Sequence, residues 1–199
     1  MAGVARSIAL QLCALTLAVA SSLGSDGGLA ATRSANSDGG PSWLAPGKPV
    51  LTLDAADVMA NAAIREARIR GFNDISVFVL DAHGRTIVSK TMLGCPNLPQ
   101  RLAHAKAMSA VSTHSSSRAL RDKYVPDRTP QLIAMTVVGT ACELPLAAVP
   151  GGVLCRDAAS NVVGAVGVSG ASADEDEHCA ILAAQAVGLT TEPAASALF

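Results

Sequence analysis

The stretch VVGAVGVSGASADEDE, Val162 to Glu177, constrains the fold more than any other part of the chain. In its first eight residues Val162, Gly164, Val166 and Val168 alternate with Val163, Ala165, Gly167 and Ser169, the period of a β-strand. One face is mainly valine. The other shrinks toward its end, and glycine inside a strand is costly unless something approaches closely. A helix, a neighbouring chain or a ligand would meet that condition. Gly170 then turns the chain, and a helix opens on Asp174, Glu175, Asp176 and Glu177.

Strand, glycine turn and helix start are also the outline of a phosphate cradle, because a helix N-terminus offers unpaired N–H groups and partial positive charge. The details oppose that use. The glycines run Gly164-x-x-Gly167-x-x-Gly170 rather than G-x-G-x-x-G, and no Gly-Lys-Ser/Thr occurs. The acids already complement the helix dipole and would repel a polyphosphate. Asp174, Glu175 and His178 lie along one turn, whereas a divalent site needs ligands converging from several directions, so no metal is assigned to them.

Half of the residues are hydrophobic but only 3% are aromatic, so the core must be built from aliphatic side chains and alanine. The formal net charge is −1 and no basic run occurs, which excludes an electrostatic footprint for nucleic acid or an anionic membrane surface. Residues 1–20 read as a cleaved signal peptide, with Arg6, an apolar run from Ile8 and a terminal Ala18-Val19-Ala20. The run is short for a membrane span, so no stable span is expected after cleavage. The expected location is secreted or extracytoplasmic, or an organelle lumen in a eukaryote. Residues 21–49 form a Gly/Ser/Ala/Pro-rich linker that contains Trp43, residues 50–190 the folded domain, and residues 191–199 a C-terminal tail. Without Cys13 of the leader, Cys95, Cys142, Cys155 and Cys179 allow three complete disulfide pairings; buried free thiols are the alternative.

Within the domain, LTLDAADVMANAAIREARIRG reads as a helix capped by Asp54 and ended by Gly71. Ile75–Leu80 and Arg85–Met92 read as a hairpin around Asp81-Ala82-His83-Gly84, with His83 exposed. RLAHAKAMSAV reads as a second helix whose buried stripe is Ala103, Ala107, Ala110 and Val111, with His104 and Lys106 on opposite flanks. A lysine there either snorkels to water or presents an amine at a pocket rim. Ser115, Ser116 and Ser117 lie near His114, but no nucleophile elbow surrounds them. Leu132–Val138 fits a strand or a buried helical turn, and Pro150-Gly151-Gly152 leads into a strand at Val153–Arg156.

Taken together, VLDAHG, AHAKAMSAV and VPGGVLCRDAASNVVGAVGVSGASADEDEHCA resemble the GlcG/HbpS-like family, often called haem-degrading domains and similar to the C-terminal part of some corrinoid adenosyltransferases. The resemblance runs from about Leu51 to Leu189. It implies a single compact α/β (α+β) domain, an antiparallel sheet flanked by helices, and assembly into a homo-oligomer. It also implies haem or a related tetrapyrrole as ligand. His104 and His114 are the axial candidates by chemistry, since imidazole suits iron. Two other functions fit the same residues. One is an enzyme acting on a small organic acid or carbonyl compound, with Lys106 as catalytic amine or general acid and backbone N–H groups near Gly151, Gly152, Ser169 and Gly170 binding an anion. The other is a ligand-free accessory protein that uses its small-residue faces for packing between protomers.

Overall fold

The structure is a computed structural model that describes residues 49–199, so the expected signal peptide, nearly all of the expected linker, Cys13 and Trp43 lie outside the described residues. Helix α1 spans Leu53–Arg70. Its N-cap is Thr52, whose side chain accepts the Ala55 N–H, while Asp54 sits in the first turn where the sequence had placed the cap. Gly71 closes the helix at φ 69°, a left-handed geometry that glycine adopts without a Cβ penalty.

The hairpin follows as β1 (Ser76–Asp81) and β2 (Thr86–Thr91). Its turn is held by Asp81, whose carboxylate accepts the N–H groups of His83 and Arg85 and pairs with the Arg85 guanidinium. Helix α2 (Asn97–Thr113), α3 (Ser117–Tyr124) and α4 (Thr129–Ala141) come next. Strands β3 (Gly152–Arg156) and β4 (Val162–Ser169), helix α5 (Ala173–Gln185) and the edge strand β5 (Thr190–Glu192) complete the domain.

The five strands form one antiparallel sheet in the order β2-β1-β4-β3-β5. The central strand β4 sends its two faces to two separate cores. Val166 and Val168, with Val77, Val79 and Val153, pack under the alanine-rich faces of α1 and α5. Ala165, with Leu80 and Leu154, packs under Ala107, Met108, Ala110 and Val111 of α2. The result is a three-layer sandwich with α1 and α5 on one side and α2 on the other.

The small-residue face of β4 is therefore filled from within. A Cβ on Gly167 would collide with the backbone oxygen of Ala103 and lie 2.7 Å from the amide nitrogen of Ala107. The chain's own helix α2 is the body that approaches and fills that space. Two other expectations change. Leu132–Val138 lies in a helix, α4, whose Ile133, Val137 and Val138 are exposed. The start of the expected tail, Thr191 and Glu192, belongs to β5 and pairs with β3, and the Phe199 ring lies 5.0 Å from that of His178. Among the described residues the four cysteines are free thiols, Cys155 and Cys179 being buried.

Candidate functional site

The four acids at the start of α5 have three separate assignments. Glu175 forms a capping box with Ser172, each satisfying the other's backbone N–H. Asp174 and Glu177 both bind the Arg118 guanidinium, which reaches across from α3. Asp176 turns inward and accepts a hydrogen bond from Lys106 Nζ at 2.7 Å. None of the four is free to converge with His178 on a cation, because His178 Nε2 lies 3.1 Å from Glu66 on α1.

Lys106 is the largest correction to the sequence reading. It stands at neither a water-facing flank nor a pocket rim, for its side chain and that of Asp176 are each only 2% exposed. Nζ also donates to the Val168 carbonyl at 3.0 Å, while the other Asp176 oxygen accepts the Ala171 N–H. The pair links α2 to α5 past the end of β4. The signal was present in the spacing: Lys106 follows Ala103 by three residues and precedes Ala110 by four, which puts it on the buried stripe itself. Burial pushes the Asp176 carboxyl up to about 6, outweighing the opposing pull of Lys106.

The glycines expected to bind an anion are packed around this pair. Gly151 has φ 121°, and a Cβ there would stand 2.6 Å from the Val168 oxygen and 2.9 Å from Lys106 Nζ. A Cβ on Gly152 would strike the Lys106 carbonyl, and the Gly152 N–H already donates to Ser117 Oγ at 2.8 Å. Ser117 Oγ donates in turn to the Val149 carbonyl at 2.6 Å, so this serine clamps the turn before β3. Ser169 is buried at the end of β4 opposite Ser76, and Gly170 (φ 141°) lies against the backbone of Asp74 and Ile75. Thus Lys106, Gly151 and Gly152 do come together, but around the chain's own atoms.

The histidines behave differently. His104 projects from α2 into an open cleft of about 460 Å³, lined among the described residues by Phe78, Asn97, Gln100, Arg101, His104 and Pro145. Its ring lies 5.2 Å from that of Phe78 on β1. Burial lowers its pKa below the usual histidine value, which keeps the imidazole neutral and a nitrogen lone pair open at neutral pH. Among the described residues no carboxylate lines this cleft, and α2 begins beside it without a side-chain cap or an acid in its first turn. His114 is exposed at the left-handed C-cap of α2. It faces a second cavity of about 490 Å³ together with His83, the Asp81–Arg85 pair and Asn161. Ten residues of helix separate the two histidines, about 15 Å of rise, so they cannot ligate one iron within this chain. Sequence reasoning missed Arg101 and Phe78 as cleft residues. Arg101 was findable, since it precedes His104 by three residues and shares its helix face.

This three-layer α/β sandwich, with an imidazole facing an open cleft between sheet and helix, defines a small single-domain α+β fold class. The family model described as haem degrading protein HbpS-like matches residues 51–185, and the chain belongs to that family. Among solved structures, HbpS is 29% identical, with a TM-score of 0.58, over 72% of this chain and 94% of that one. A double mutant of Streptomyces reticuli HbpS is likewise 29% identical, with a TM-score of 0.57, over 72% of this chain and 91% of that one. A PduOC:heme complex shares the fold at 23% identity, with a TM-score of 0.61, over 70% of this chain and 96% of that one. A search of curated proteins finds no match.

Proposed function

We propose that this domain binds haem or a related tetrapyrrole in the cleft between Phe78 and α2, with His104 as the axial ligand. The observation that carries the reading is the His104 imidazole, half-buried beside an aromatic ring and opening on a cleft of about 460 Å³. That volume falls within the range of small-molecule sites, about 300–1,000 Å³. Family membership and the resemblance to HbpS support the choice of ligand. The protein's part is to supply the axial nitrogen, an apolar edge from Phe78 and Pro145, and polar contacts from Asn97, Gln100 and Arg101.

The test is a hemin titration followed in the Soret region. A saturable red-shifted band is expected for the wild type and for His114→Ala, and its loss or blue shift for His104→Ala. A band unchanged by His104→Ala would remove the assignment. The leader-like residues 1–20 support a secreted or lumenal site of action, testable by N-terminal sequencing of the exported protein. The exposed apolar residues Ile133, Val137 and Val138 of α4 support self-association, testable by light scattering.

A further inference from the structure

The Arg101 side chain is not tied to any described part of the fold. It is exposed, and its guanidinium makes no ion pair or side-chain hydrogen bond with any described residue. Several other arginines of the domain are engaged, Arg70 with Glu66, Arg85 with Asp81 and Arg118 with Asp174 and Glu177. Arg101 instead lines the cleft one helical turn before His104. Among the described residues the cleft contains this one positive charge, the imidazole of His104, two amide side chains and two apolar residues, and no carboxylate. A ligand lying against Phe78 with its centre at His104 would therefore bring its edge to an unpaired guanidinium about one helical turn, 5 Å, along α2.

We infer that Arg101 is a specificity-determining residue that selects ligands carrying a free carboxylate, so that carboxylate capture, as well as iron ligation, sets which tetrapyrroles bind. The inference rests on the haem-cleft reading and deepens it. A planar guanidinium fits a carboxylate with two parallel hydrogen bonds, a geometry that an ester cannot reciprocate. Because the contribution of Arg101 does not pass through the metal, a metal-free porphyrin dicarboxylate is also a ligand, held by the ring contacts and the carboxylate. At an exposed cleft the interaction is partly screened, so the discrimination weakens as salt rises.

The experiment compares protoporphyrin IX and its dimethyl ester, followed by porphyrin emission, with hemin and hemin dimethyl ester, followed by absorption. Each is titrated into the wild type, Arg101→Leu, Arg101→Lys and His104→Ala. The wild type should bind each free acid about tenfold more tightly than its ester, as expected for one charge-assisted contact. Arg101→Leu should lower acid affinity to the ester level while leaving ester affinity unchanged, and Arg101→Lys should recover part of the gap. The acid–ester gap should persist for the metal-free pair in His104→Ala. Equal binding of acid and ester by the wild type, or an unchanged gap in Arg101→Leu, overturns the inference and leaves the haem reading standing. Absence of binding by every porphyrin removes both.

Discussion

Replacing Lys106 by methionine would test whether the buried Lys106–Asp176 pair is structural. The substitution keeps most of the side-chain volume but leaves a carboxylate, 2% exposed, with the Ala171 N–H as its remaining partner shown in the fold. Breaking a buried pair from one side costs about 3–5 kcal/mol, because the surviving charge has no compensation. The pH dependence is more diagnostic than the size. In the wild type Asp176 titrates near 6 when folded, above its ordinary 3.8. A carboxyl raised on folding favours the native state at low pH, and that advantage is lost as pH climbs from about 4 to about 6. Above about 6 the wild-type contribution is flat. In Lys106→Met the cation that opposed the burial effect is gone, so the carboxyl rises further and the loss continues. The difference between variant and wild type should grow by up to about 1.4 kcal/mol per pH unit above pH 6, until the variant's own titration is passed. Urea unfolding at pH 6 and pH 8, followed by circular dichroism, reads this directly. The double variant Lys106→Met/Asp176→Asn should return most of the stability and lose the pH-dependent term. A single variant within about 1 kcal/mol of wild type at both pH values would refute the reasoning, as would a cost that does not change with pH.

The same geometry predicts other outcomes. Gly167→Ala drives a methyl into the backbone of α2 at Ala103 and should cost at least about 2 kcal/mol by thermal or chemical unfolding. Ser117→Ala strands the buried Gly152 N–H and should cost about 1–3 kcal/mol. It should leave hemin binding intact, whereas a nucleophilic serine would leave stability intact. Arg118→Met strands Glu177, one of whose oxygens already lacks a partner among the described residues, and whose pKa burial raises against the pull of Arg118. The variant should be destabilised at pH 7 and recover as the pH is lowered toward 5, measured as a shift in unfolding midpoint.

Much of the architecture was legible because it rests on local rules. The period-two alternation of Val162–Ser169 gave a strand with two unlike faces, and Gly71 and the Asp81–Gly84 turn marked element ends by their backbone needs. What stayed hidden was decided by long-range packing. The small face of β4 accepts a helix, a ligand or another chain equally well on paper, and the close approach of Ala103 to Gly167, across 64 positions of sequence, selects the helix. Lys106 misled for a related reason. A lysine near a buried stripe normally snorkels, and its burial became favourable only because Asp176, 70 residues on, turned inward to meet it. Leu132–Val138 has the composition of a core element, yet Ile133, Ala134, Val137 and Val138 face outward on α4. The binding cleft was half visible. Imidazole chemistry singled out His104 and His114 together, and only the fold gives them separate cavities, one with a free arginine and the other with a second histidine.

The central claim is that the ligand sits between Phe78 and α2. A crystal structure of the domain grown with hemin tests it most directly. The account predicts iron bonded to a ring nitrogen of His104, the macrocycle edge against Phe78 and Pro145, and a propionate on Arg101. Porphyrin density in the His83–His114 cavity, or ordered porphyrin with His104 unligated, would contradict it.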